Sequence, residues 1–259
     1  MKKIIIANWK MNPASPKEAQ RLFESAKSSA RNLKKAEVVI APPFLYLPLL
    51  KAGLPRGKAG QVKLAAQDVF WENPPAGGGA FTGEISARML KNLGVSYVIV
   101  GHSERRELGE TDELISQKLK AAASGGLRAV LCVGERERVK DSFPTLVRDE
   151  LKKALKGISR RFASKIIIAY EPVWAVSTGK NARPDTPQDF FEMSIFIRRV
   201  ILDIWGKSAA FKIPILYGGS VSSKNAAGFL KVKGAAGLLI GKASLNAREF
   251  SKILEAVKL

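Results

Sequence analysis

The feature that most constrains this chain is a rhythm. About eight short apolar runs recur along it, each followed by a segment of helical spacing. The runs are 4–7, 38–41, 62–66, 97–100, 128–133, 165–170, 213–217 and 237–240. Uninterrupted apolar runs describe strands buried on both faces, as in a parallel sheet. Parallel neighbours need crossover connections, and the helical segments supply them. Expected helices include 16–33, 84–92, 112–123, 143–161, 187–205, 225–231 and 247–257. With 259 residues, the alternation points to an α/β fold, a single (β/α)8 barrel over residues 1–259. The competing fold is an open doubly wound sheet. Its G-x-G-x-x-G signature does not follow the first strand, and no Walker motif occurs.

A barrel brings all its strand C-termini to one mouth. Asn8, Lys10, Gln67, His102, Glu104, Glu135, Glu171, Ser220, Gly241 and Lys242 all follow strand ends, so residues distant in sequence should converge there. The most informative stretch is Ile166 to Gly179. A buried strand ends in Glu171, and Pro172 biases that residue toward extended geometry. The apolar segment that follows, closed by Gly179, has the composition of a lid. A carboxylate at a strand tip under a lid is a candidate general base. Taken alone, the stretch fits a surface turn with a solvated Glu equally well.

His102 is the only histidine. Ser103-Glu104 has the form of a first helical turn, and a helix N-terminus disfavours the imidazolium. A neutral ring can donate to a carbonyl oxygen and pass a proton between adjacent oxygens. Lys10 could neutralise an oxyanion or a phosphate, held by Glu104, with Asn8 adding a hydrogen bond. Gly218-Gly219-Ser220 and Gly241-Lys242 follow strands seven and eight, where barrels commonly cradle phosphate on backbone N–H groups. One base, one neutral electrophile, one cation and one phosphate cradle fit proton transfer beside a carbonyl on a phosphorylated sugar.

The net charge is +20, but Lys and Arg are spread along the whole chain. Without a basic tract or a nucleic-acid module, the charge reads as a solvated surface and does not point to specific nucleic-acid binding. Cys132, the only cysteine, lies in an apolar strand and reads as a core thiol. No apolar run reaches membrane-spanning length and no signal peptide is evident, so a soluble cytoplasmic protein is expected.

Six stretches together resemble the triosephosphate isomerase family over essentially the whole chain. They are Asn8 to Asn12, Gly83 to Ser86, Gly101 to Arg106, Ala169 to Ala175, Tyr217 to Val221 and Ala243 to Leu245. The resemblance implies a TIM barrel that interconverts dihydroxyacetone phosphate and glyceraldehyde 3-phosphate without a metal or organic cofactor. It implies Glu171 as base, with His102 and Lys10 stabilising an enediolate. Residues 172–178 would be the closing lid. Phosphate contacts would come from Ser177, Ser220, Gly241 and Lys242. It also implies a homodimer or higher oligomer through loop 71–83, with Thr82 near the partner's active site and Phe81 buried in the partner. Ser177 and Lys242 stand where the family commonly has Gly.

Two rival readings remain at this level. A barrel aldolase would use Lys10 as a Schiff-base nucleophile, although Glu104 nearby argues against the free amine this requires. A basic nucleic-acid-binding protein on an enzyme scaffold rests on the charge alone.

Overall fold

The strand runs split their side chains between two apolar layers, which is why they read as unbroken hydrophobic sequence. The computed structural model describes residues 2–54, 62–74, 78–137, 144–175 and 185–258. Its strands are β1 (Lys3–Asn8), β2 (Ala36–Ala41), β3 (Val62–Ala66), β4 (Tyr97–Val100), β5 (Arg128–Val133), β6 (Ile166–Tyr170), β7 (Ile215–Tyr217) and β8 (Ala235–Ile240). In β6, Ile167 and Ala169 join the barrel interior, while Ile166, Ile168 and Tyr170 face the surrounding helices. All five are fully buried. Burial of each such isoleucine stabilises the fold by roughly 1.5–3 kcal/mol.

The eight strands close into a parallel barrel in chain order, and β8 returns to pair with β1 from Ile4–Gly237 to Ala7–Ile240. The expected (β/α)8 architecture is therefore present. The helices are α1 (Pro16–Ala30), α2 (Leu47–Ala52), α3 (Ala87–Leu93), α4 (Ser103–Glu107), α5 (Asp112–Ser124), α6 (Thr145–Ala154), α7 (Pro187–Trp205), α8 (Lys207–Lys212), α9 (Ala226–Lys231) and α10 (Ala247–Glu255). Their starts follow local chemistry. Ser15, Ser86, Thr111 and Thr186 each accept a first-turn N–H at a helix start, and Thr186 with Asp189 forms a full capping box.

Among the boundaries that differ from expectation, three have a clear local cause. The helix expected from 84 begins at Ala87, because Ser86 caps it through the Met89 N–H. The helix expected over 143–161 ends at Ala154, and Gly157 turns the chain with φ +71; residue 143 lies outside the described residues. The strand expected over 213–217 begins only at Ile215, because α8 extends to Lys212 and Pro214 has no N–H for a ladder bond. Helix α8 itself was not expected.

At the N-terminal end of the strands, Tyr97 projects into the barrel and bonds Glu37 and Arg128, while Lys63 pairs with Glu37. This polar plug closes one end. The candidate site residues gather at the other. Among the described residues, no helix is long and apolar enough to cross a membrane.

Candidate active site

Eight residues singled out in the sequence meet in one cavity of about 240 Å³ at the C-terminal mouth. They are Asn8, Lys10, His102, Glu104, Glu171, Ser220, Gly241 and Lys242. They come from the ends of β1, β4, β6, β7 and β8.

Lys10 has φ +53, the only positive φ at a non-glycine among the described residues. Such a conformation costs on the order of 1–3 kcal/mol and persists only where neighbours over-determine it. Here Asn8 Oδ1 accepts the Lys10 N–H at 3.0 Å. Gln67 Nε2 donates to the Lys10 carbonyl at 2.8 Å and to the Ala41 carbonyl at 2.8 Å. The turn aims the ammonium across the mouth, where Nζ meets Glu104 Oε1 at 2.6 Å. Asn8 thus holds Lys10 as well as facing the cavity.

His102 is the N-cap of α4, and its Nδ1 accepts the Glu104 N–H at 3.2 Å. A nitrogen that accepts carries the lone pair, so this tautomer holds its proton on Nε2. Nε2 lies 3.4 Å from Glu171 Oε1. The other oxygen, Oε2, accepts the Ser103 N–H at 3.2 Å, and Glu171 is only 3% exposed. The sole carboxylate of the lid stretch and the sole imidazole are therefore direct neighbours.

Glycines permit this crowding. A Cβ on Gly218 would come within 3.0 Å of Glu171 Cγ, and one on Gly134 would overlap the Glu171 carbonyl at 1.7 Å. Ser220 follows the Gly218-Gly219 turn. Lys242 opens a short 3₁₀ turn over Lys242–Leu245 after Gly241, with an ordinary negative φ that accommodates its Cβ.

Behind Glu171 lies Cys132. Burial first, and then the Glu171 charge, push its thiol well above the usual range, so it stays protonated and is not a nucleophile. Glu150 accepts the Gly134 N–H at 2.9 Å and faces Arg106 at 3.4 Å. Burial raises its carboxyl to about 7, against the opposing pull of Arg106 and that N–H.

Sequence reasoning left Glu135 unassigned, although it follows β5. Its Oε1 accepts from the Tyr170 hydroxyl at 2.7 Å and from Trp174 Nε1 at 3.2 Å, and its carbonyl accepts the Val173 N–H at 3.0 Å. It pins the first residues after Glu171. On the far side, Asp185 is hydrogen-bonded to the Tyr217 hydroxyl, whose ionisation is suppressed by burial and then by that carboxylate. For Glu135 the only signal in the sequence was position, a carboxylate at a strand end.

Ser177 and the expected lid residues 176–178 lie outside the described residues. Thr82 is exposed and does not line the cavity. Phe81, 38% exposed, packs on Phe70 with ring centroids 4.7 Å apart, and Phe70 contacts Trp71 at 4.1 Å. Residues 75–77 of that loop lie outside the described residues. Among the described residues, no group of three or more His, Cys, Asp or Glu side chains could hold a metal ion.

Comparison with known proteins agrees in extent and identity. A family model described as triosephosphate isomerase matches residues 3–257. The chain is 44% identical over 258 residues to the triosephosphate isomerase of Citrifermentans bemidjiense, covering 98% of each chain. It is 43% identical over 254 residues to that of Caldanaerobacter subterraneus subsp. tengcongensis, covering 97% of this chain and 98% of the relative. A third similar protein, the triosephosphate isomerase of Aquifex aeolicus, is 43% identical over 257 residues, covering 98% of this chain and 99% of the relative.

Proposed function

The chain belongs to the triosephosphate isomerase family, and from that premise we propose how its residues share the work. It is an isomerase that interconverts dihydroxyacetone phosphate and D-glyceraldehyde 3-phosphate. Glu171 removes the carbon-bound proton. His102 donates from Nε2 to the substrate oxygens and moves a proton between them. The Lys10 ammonium neutralises the developing enediolate, with Asn8 beside it. The proton then returns from Glu171 to the neighbouring carbon. Such an acid–base pair and lid gating are established for this family, so the scheme follows the family and the geometry together.

The observation that supports this division most directly is the 3.4 Å approach of Glu171 Oε1 to His102 Nε2, inside a cavity that Lys10 also lines. In this arrangement Glu171 also rests on the Ser103 N–H. Substrate binding therefore has to draw the carboxylate off that donor and over the reacting carbon. Residues 172–178 close over the substrate, with Glu135 holding the start of that segment. Phosphate sits against the N–H groups around Ser220, Gly241 and Lys242, joined by Ser177.

The Schiff-base alternative is not favoured. Its nucleophile, Lys10, is held as an ion pair with Glu104 rather than presented as a free amine. The nucleic-acid alternative has only the charge behind it.

The reaction belongs to glycolysis and gluconeogenesis, and a cytoplasmic setting is supported by a single buried cysteine that needs no oxidising compartment. A homodimer or larger homo-oligomer through loop 71–83 is supported by apolar exposure around the mouth: Met11 at 93%, Leu45 at 70% and Phe81 at 38%. Thr82 then reaches toward the neighbour's Asn8 and Lys10. Running the reaction in D₂O tests the chemistry. Solvent deuterium should appear on the carbon that gains the proton, and direct hydride transfer would leave product unlabelled.

A further inference from the structure

The far end of the barrel carries a second cavity that the isomerase reaction does not use. It measures about 530 Å³, against about 240 Å³ for the catalytic mouth. It lies at the N-terminal end of the strands, between the start of β1 and the segments entering β2 and β8. Five lysines line it, Lys2, Lys3, Lys34, Lys35 and Lys231, and the rest of the described wall is aliphatic. No acidic residue is among them.

Lys3 marks the floor. Its Nζ donates to the Leu230 carbonyl at 2.9 Å and to the Ala235 carbonyl at 2.7 Å. Burial lowers its pKa, and no carboxylate among the described residues pairs with it. The exposed Lys2, Lys34 and Lys231 likewise form no ion pair among the described residues. Clustered like charges around a concave wall focus a positive field. Among the described lining residues, none supplies the complementary charge.

The lining also limits the ligand. A single monovalent anion leaves most of the charge on the exposed Lys2, Lys34 and Lys231 uncompensated, whereas adjoining phosphates match several at once. Ammonium groups suit phosphate oxygens as point charges. Among the described lining residues, no arginine or aromatic side chain stands to stack on or read a base. The volume falls in the range of small-molecule pockets, roughly 300–1,000 Å³. We infer that the N-terminal face of the barrel binds a small polyphosphate, a compact chain of about three phosphates, through Lys34 and Lys231 above the Lys3 floor.

The test is calorimetric titration with inorganic tripolyphosphate at low salt, with the active site saturated by the equilibrium triose phosphates. One site per chain is expected. Lys34→Glu/Lys231→Glu should weaken it at least tenfold while kcat stays unchanged. Lys120→Glu/Lys152→Glu makes the same charge change on exposed positions of α5 and α6 and should stay within twofold of wild type. Adenosine triphosphate binding as tightly as tripolyphosphate assigns recognition to the phosphates, and tighter binding with the same lysine dependence assigns a nucleotide. Absence of binding, or equal weakening by both variant pairs, overturns the inference. So does tighter binding of a nucleic acid with the same lysine dependence.

Discussion

Oε1 of Glu171 stands 3.4 Å from Nε2 of His102, although the two residues leave the barrel from different strands. The ring is oriented from behind, since Nδ1 takes the Glu104 N–H. The carboxylate is held from the side, since Oε2 takes the Ser103 N–H. The short helix α4 therefore sets the position of both groups through two consecutive backbone donors. A substrate oxygen that takes the Nε2 proton must enter where Glu171 now approaches, so binding and base placement are coupled by geometry.

Lys10 depends on Glu104 for its aim. Glu104→Gln keeps the backbone donor to His102 but removes the charge partner at 2.6 Å. Loosened positioning should lower kcat/KM roughly tenfold. Steady-state kinetics check this, and an unchanged value would mean that the Lys10 turn alone aims the ammonium.

Glu150 should make stability depend on pH. Its folded pKa is about 7, raised above the ordinary carboxyl value of 4.5. Between those values the folded state holds a proton that the unfolded chain has released. Stability attributable to Glu150 is thus greatest below about pH 4.5 and declines as pH rises through 7, by on the order of 1–3 kcal/mol. Denaturant unfolding of wild type and Glu150→Gln at pH 5 and pH 8 measures it. The difference between the two proteins should change across that range, and a constant difference would contradict the assignment.

Lys242 adds charge beside the proposed phosphate cradle without straining its backbone. Lys242→Gly should raise KM severalfold with kcat within about twofold, the pattern of lost uniform binding. A large fall in kcat at unchanged KM would place Lys242 in the chemistry instead.

A net charge of +20 should draw a dianionic substrate toward the mouth. Steering of this kind is screened by salt, so kcat/KM should fall severalfold between about 20 and 300 mM ionic strength. A flat response would remove substrate steering as a reason for the charge.

The barrel was legible because strands buried on both faces leave an unmistakable apolar trace, as in Ile166–Tyr170. The mouth was legible because the fold itself gathers strand ends, so Lys10, His102 and Glu171 needed no mutual spacing. What stayed hidden depends on tertiary contact. Nothing about a lysine announces φ +53, which exists because Asn8 and Gln67 clamp the turn. Glu135 has the same sequence setting as a solvated turn residue until Tyr170 and Trp174 close on it. Helix α8 escaped notice because six residues with two small alanines carry little periodic signal. The basic cavity forms from Lys3, the 34–35 turn and the end of α9, which only closure of β8 onto β1 brings together.

The central claim is that Glu171 is the proton-transferring base. The direct measurement is kcat of Glu171→Gln in a coupled isomerase assay, with a circular dichroism spectrum to verify the fold. Loss of a general base predicts a fall of about a hundredfold or more with the fold intact. Near-wild-type turnover in a folded Glu171→Gln protein would contradict the account.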